Sequence, residues 1–280
     1  MSTTTTVLFI ILLIVLFMFI LLCYAVYPSK PTNEQMKPFY HRNFAHRGLH
    51  SKNKHVPENS LPAFSKAVSK NYGIELDLQF SKDFQVVVFH DNTLDRVCGI
   101  HGRVDEFNYS ELRNFQLCGT KEHIPLFSDV LKIVDGKVPL IVELKSGPHN
   151  HKLCEAAYEM LKAYNGEYCI ESFDPYIVRW FKQNAPHLLR GQLSAPYHTL
   201  LEELVPWKAF FLGNCLSNFL ARPNFIAYDK TQKPWTVKLA EKLGAMPVVW
   251  TVRNTDDIKQ LEASNNAIIF EFYEPTTRYD

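Results

Sequence analysis

Three features of the sequence predict an α/β fold, a (β/α)8 TIM barrel with a small insertion, preceded by one transmembrane helix. Short β-branched or aromatic runs alternate with helix-length amphipathic segments from Asn43 to Tyr273, the pattern of strands each covered by a following helix. One strand-like run lies too close to its predecessor to be a parallel neighbour, which leaves eight β units. The stretch Val7–Tyr27 is wholly apolar, Cys or Tyr, and carries no charge.

At a rise of 1.5 Å per residue Val7–Tyr27 reaches roughly the 30 Å of a bilayer core. A cleaved signal peptide is the competing reading, but it calls for a basic start and a shorter apolar core. Met1–Thr6 has no Lys or Arg, and Leu22 precedes Cys23 where a lipoprotein signal needs a small residue. An uncleaved single-pass anchor is therefore expected. Lys30, Lys37 and Arg42 all follow the span, so the positive-inside rule places the catalytic bulk in the cytoplasm. The organisation predicted is a tail over 1–6, a transmembrane helix over 7–27, a linker over 28–42 and one domain over 43–280.

Within that domain strands are expected at Asn43–His46, Ile74–Leu78, Val86–His90, Pro139–Glu143, Cys169–Ser172, Arg190–Leu193, Phe225–Tyr228, Val248–Val252 and Ala267–Phe270. Helices are expected at Ser60–Ser69, Phe127–Ile133, His151–Tyr164, Tyr176–Asn184, Thr199–Val205, Thr236–Leu243 and Thr255–Glu262. Gln79–Gln85 is too short for a parallel crossover, so Val86–His90 should fold back antiparallel on Ile74–Leu78. The remaining eight strands close a barrel whose active site lies at their carboxyl ends.

Composition excludes several functions. With 30 Lys+Arg against 29 Asp+Glu, the net charge is +1 and no basic run is present, so no nucleic acid is expected as partner. The 6 Cys stand singly without a CxxC pair, which indicates neither a zinc thiolate site nor a disulfide framework. The 11 His show no H-E-x-x-H spacing, which argues against a zinc hydrolase.

The chemistry sits at predicted strand ends. Phe44–Gly48 delivers His46 and Arg47 to the functional rim, and Ser60 can cap the helix that follows Pro57–Asn59. Glu75 and Asp77 stand at i and i+2 of one strand and so share a face. Two carboxylates pointing into a barrel need a cation to offset desolvation and repulsion. A third, Glu143, ends a later strand, with Lys145 on its face. The set Glu75, Asp77 and Glu143 is all-oxygen and suits Mg²⁺, Ca²⁺ or Mn²⁺. If the hairpin turns near Lys82–Asp83, His90 falls opposite Glu75, beside that metal. Arg96 is either structural or the residue that fixes Asp91.

In order along the chain, the pieces HRG, PENSLPAF, GIELDLQFSKD, VVVFHDNTLDR, IPLFSDVL, LIVELK, ESFDP and VVWTVRN resemble the glycerophosphodiester phosphodiesterase family over about Phe44–Pro275. The resemblance implies a barrel with an insertion at about Asn92–Ile124, a divalent metal on Glu75, Asp77 and Glu143, and His46 with His90 as the catalytic pair. It assigns Arg47 and Lys145 to the phosphate, Glu58 to a site carboxylate and Trp250 to the substrate pocket. Glu171 and the pair Phe270–Glu271 depart from the family pattern and replace none of the metal, acid/base or phosphate residues; Glu171 is read as either a partner of Lys145 or a rim residue.

The activity implied is metal-dependent hydrolysis of glycerophosphodiesters to glycerol 3-phosphate and an alcohol, one His taking a proton from the nucleophile and the other giving one to the alcohol. The nucleophile on this reading is either water or, through a cyclic phosphate, the substrate's own 2-hydroxyl. A lysophospholipase D reaction keeps the chemistry and changes the substrate; the anchor favours it, whereas Phe107, Tyr109 and Phe115 of the insertion offer little acyl-binding wall. A silent headgroup-binding module is disfavoured because both His and all three metal carboxylates are intact.

Overall fold

The computed structural model describes residues 3–276. All nine expected strands form: β1 (Arg42–Ala45), β2 (Gly73–Phe80), β3 (Val86–Val88), β4 (Leu140–Leu144), β5 (Tyr168–Ser172), β6 (Arg190–Ser194), β7 (Phe225–Asp229), β8 (Met246–Val252) and β9 (Ala267–Phe270). The sheet runs β1-β9-β8-β7-β6-β5-β4-β2-β3, and a further β1–β2 pairing closes the eight parallel strands into a barrel. Strands buried on both faces read as continuous apolar runs, and β4 is buried at every position.

β3 is the antiparallel return strand. Ser81 holds its turn by accepting from the Gln85 amide at 2.9 Å and donating to Asp83 at 2.6 Å. The register pairs Leu78 with Val88 and Phe80 with Val86, which corrects the expectation that His90 faces Glu75 across the hairpin. Continued, this register would set His90 against Leu76. The last ladder bond runs from Phe89 N–H to the Asp77 carbonyl at 3.0 Å, and Gln79 Nε2 then donates to the carbonyls of Phe89, His90 and Asp91, turning the chain over the barrel mouth.

A second correction concerns the helix expected at Thr199–Val205. The chain forms one turn at Tyr197–Leu200 and then a helix at Pro206–Gly213. Proline lacks an N–H and fits the first helical turn, and the residue before it is driven out of the helical region. Val205 is extended accordingly, with ψ 149°.

Phe44, Ile141, Cys169, Phe225 and Val248 fill the barrel interior, and Met36 and Phe39 from the linker plug its floor. The linker is packed, not free: Ser29 N–H donates to the Pro223 carbonyl and Gln35 Nε2 to that of His187. The N-terminal helix spans Thr3–Val26, 24 residues with a peak mean hydropathy of 3.4, long and apolar enough for an anchor or a signal sequence. Its last turns dock on the barrel wall. Val26 is buried with Ile226, Tyr228, Val237 and Ala240, and Asn218 Nδ2 donates to its carbonyl.

One close approach fixes the interior. A Cβ on Gly191 would lie 2.0 Å from Cε2 of Phe225, the residue paired with it across β6 and β7. Phe225 is fully buried and has nowhere to retreat. Gly191→Val is therefore expected to destabilise the chain by roughly 1–3 kcal/mol or more. Thermal unfolding reads this directly; an unchanged melting temperature would contradict the packing described.

Candidate active site

Strand geometry places four carboxylates in one layer. Glu75 and Asp77 project from the inner face of β2, Asp77 pairs with Glu143 on β4, and Glu143 pairs with Glu171 on β5. All four are buried, Asp77 completely. Oxygens of Glu75, Asp77 and Glu143 lie within 4.8 Å of one another. Burial drives the Glu75 carboxyl well above its ordinary range, and repulsion from Asp77, Glu143 and Glu171 pushes the same way. Glu171 is raised for the same reasons. Asp77 also meets the burial penalty but is pulled below its ordinary range by His90, Lys145 and Arg47 and by the Asn59 amide, which donates to it at 2.8 Å.

The cluster fits a hard divalent cation. Its donors are all oxygen, and Asp77 Oδ1 is buried with no hydrogen-bond partner. Lys145 Nζ stands 2.9 Å from Glu143 and 3.4 Å from Asp77, and its ammonium is held charged by these two carboxylates against burial. Arg47, in the left-handed region at φ 56°, turns its backbone N–H onto Glu75 at 2.9 Å. Its guanidinium reaches Glu58 at 2.6 Å.

Each histidine is held by the same device. His46 follows β1, and its Nδ1 lies 3.2 Å from Glu271 Oε2. Glu271 is in turn gripped by Arg253 through Nε and Nη2. Burial would raise the Glu271 carboxyl, but hydrogen bonds from His46 and Arg253, with His50 Nε2 nearby at 3.7 Å, hold it far below its ordinary range. An ionised carboxylate only accepts, so the His46 proton sits on Nδ1 and the Nε2 lone pair faces Glu75, 3.9 Å away. Burial, helped by the Arg47 charge, pulls the His46 pKa down to about 4. His90 Nδ1 lies 2.7 Å from Asp91, and Arg96 fixes Asp91 at 2.6 and 2.9 Å.

Arg96 also makes two 2.7 Å bonds to Glu58. Glu58 thus clamps Arg47 and Arg96 together, and despite burial its pKa falls to about 2. The carboxylate assigned to the site from the family resemblance acts here on two guanidinium groups.

His46, Arg47, His90, Lys145 and Trp250 line one cavity of about 290 Å³. Trp250 is fixed by its Nε1–H to the Ala227 carbonyl at 3.0 Å and by edge contact with Phe173. The structure corrects the reading of Glu271 as lying off the functional positions, since that carboxylate holds His46, and sets Glu171, read as either a partner of Lys145 or a rim residue, beside Glu143. It also supplies an apolar wall absent from the insertion. Phe107, Tyr109 and Phe115 pack into the insertion's own small core, whereas Phe173, Trp207, Phe211 and Phe219 line a neighbouring cavity of about 480 Å³ that shares Glu143 and Lys145 with the first.

The His46 environment is testable by itself. In metal-free protein, NMR titration of the imidazole is expected to find it neutral at about pH 5.5, where an ordinary His is mainly charged. Because Glu271 favours the charged form, Glu271→Gln should move the transition lower still. Titration near the ordinary value of 6.5 would contradict the burial described.

Residues 46–274 match the sequence model of the Glycerophosphoryl diester phosphodiesterase family. A glycerophosphodiester phosphodiesterase of Caldanaerobacter subterraneus is 33% identical over 229 residues, covering 78% of this chain and 88% of the relative. A lysophospholipase D of Rattus norvegicus is 31% identical over 156 residues, covering 51% of this chain and 48% of the relative. An Oleispira antarctica phosphodiesterase, solved in complex with the product sn-glycerol-3-phosphate, shares the fold at a TM-score of 0.65 and 19% identity, over 82% of this chain and 93% of that one.

Proposed function

The chain belongs to the glycerophosphoryl diester phosphodiesterase family, and on that premise we propose that it hydrolyses glycerophosphodiesters to glycerol 3-phosphate and an alcohol, with His46 as general base and His90 as general acid. The observation that carries this reading is the matched pair of holders, His46 on Glu271 and Arg253 and His90 on Asp91 and Arg96, in a cavity that Arg47 and Lys145 also line.

A neutral His46 with its lone pair on Nε2 is in the state that accepts a proton from the nucleophile, which is water or the substrate's own glycerol 2-hydroxyl, the latter giving a cyclic phosphate that water then opens to glycerol 3-phosphate. As the new P–O bond forms and the bond to the alcohol breaks, His90 gives its proton to the departing oxygen. Glu271 and Asp91 keep each ring oriented and stabilise its charged form, the part a buried carboxylate plays beside a catalytic imidazole. Arg47 and Lys145 bind the phosphoryl oxygens, where negative charge grows. Glu75, Asp77 and Glu143 would hold a divalent cation, Mg²⁺ or Ca²⁺ with Mn²⁺ also suited, which when bound neutralises charge on those same oxygens. Trp250 forms a wall for the glycerol or headgroup end.

We further read the N-terminal helix as an uncleaved single-pass anchor over 7–27, with residues 43–280 as the catalytic domain on the cytoplasmic side. The docking of Val26 and the cations Lys30, Lys37 and Arg42 support this. The apolar cavity beside Lys145 favours lysophospholipids as a second substrate class, the acyl chain lying against Trp207 and Phe211.

Release of glycerol 3-phosphate from glycerophosphocholine and glycerophosphoethanolamine, with divalent salt present, tests the first reading. His46→Ala and His90→Ala should each lower kcat by roughly 10²–10⁴, and near wild-type turnover would remove that residue from the mechanism. Choline release from lysophosphatidylcholine, with formation of lysophosphatidic acid, tests the second; absence of that product removes it.

A further inference from the structure

An exposed aromatic strip on the barrel wall takes no part in proton transfer or phosphate binding, and only the acyl-chain reading of the neighbouring cavity uses two of its residues, Trp207 and Phe211. Trp207 is 64% exposed, Phe210 51%, Phe211 44% and Phe219 39%. Contiguous apolar surface of this kind on a folded domain marks an interaction site. The strip is continuous with the N-terminal helix: Phe219 stacks on Tyr24 with ring centroids 6.4 Å apart. Arg222 lies over the same ring at 4.4 Å and donates to the carbonyls of Tyr24 and Tyr27. Tyr24 and Tyr27 close the apolar run, where tyrosines sit at the boundary of a spanning helix. At its other end the strip reaches the reaction site, because Trp207 and Phe211 line the cavity that touches Glu143 and Lys145.

Charge points the same way. Lys30, Lys182 and Arg222 share a groove with Tyr24 and Tyr27, and no carboxylate lines it. Burial lowers the Lys182 pKa, and crowding by Arg222, Arg190 and Arg179 adds to it. Cations beside the end of a spanning helix, with no carboxylate in the groove to neutralise them, meet lipid phosphates.

We propose that the face made by Trp207, Phe210, Phe211 and Phe219 rests on the bilayer spanned by the N-terminal helix, as a second membrane contact that holds the mouth of the catalytic cavity against the lipid surface. The inference rests on reading that helix as an uncleaved anchor. Anchor, strip and cavity then form one path, along which a lipid-borne phosphodiester reaches Lys145 without crossing bulk water.

The test uses the full chain and its Trp207→Phe variant, a conservative change at an exposed position, reconstituted in vesicles of equal parts phosphatidylcholine and phosphatidylglycerol and washed with alkaline carbonate. Tryptophan emission is compared between plain and brominated acyl chains; subtracting the variant isolates Trp207 from Trp180, Trp235 and Trp250. The expected result is a chain that floats with the vesicles and a Trp207 emission that brominated lipid largely abolishes. A floating chain whose Trp207 emission is the same in both lipids places the strip off the bilayer and overturns the proposal while leaving the anchor intact. A chain stripped from the vesicles by the wash overturns the anchor reading, and the proposal with it.

Discussion

Four carboxylates in one buried layer are the constraint around which the mouth of this barrel is built. Register brings Asp77, Glu143 and Glu171 side by side, and Glu75 joins them from the same inner face of β2; all four side chains are buried, three of them along the wall of the substrate cavity. Ionised carboxylates in such a place repel one another and lose their hydration, so they persist only with compensating charge. Arg47 and Lys145 supply part of it. Asp77 Oδ1 nonetheless has no hydrogen-bond partner and only the Lys145 ammonium beside it at 3.4 Å, which leaves it donor capacity that a divalent cation would use. The same charge field holds Lys145 protonated and Arg47 in place, so the groups that would bind a phosphate are positioned by those that would bind the metal.

A second layer of order surrounds this centre. Carboxylates that only accept fix the protons of both histidines, and arginines fix those carboxylates. Glu58 joins the two halves, since it binds Arg47 on one side and Arg96 on the other. The rim is therefore one connected network running from Arg47 through Glu58, Arg96 and Asp91 to His90. Loss of one member would be felt as a change in ring orientation more than in overall stability.

The sequence revealed what depends on local periodicity. Glu75 and Asp77 share a face because strand side chains alternate, and β3 had to return antiparallel because its connection is short; both readings survive in the structure. What it did not reveal depends on distant pairing or on turns. Glu271 meets His46 across 225 positions, and no local pattern marks it. Glu58 and Arg96 are 38 apart and meet only because the insertion folds back over the rim. His90 was displaced from its expected place by a strand that stops at Val88. The aromatic wall was sought in the insertion and lies instead on the helix started by Pro206, a residue whose helix-initiating character was the available signal.

The central claim is that the buried acidic cluster is a divalent-cation site that organises the rest. Isothermal titration of the detergent-solubilised full chain with Mg²⁺, Ca²⁺ and Mn²⁺ tests it most directly, beside the Asp77→Asn variant, which keeps the side-chain shape and removes the charge. The account predicts saturable binding of at least one of these ions by the wild type, lost or greatly weakened in the variant. Binding that is absent in the folded wild type, or unchanged in Asp77→Asn, would contradict it.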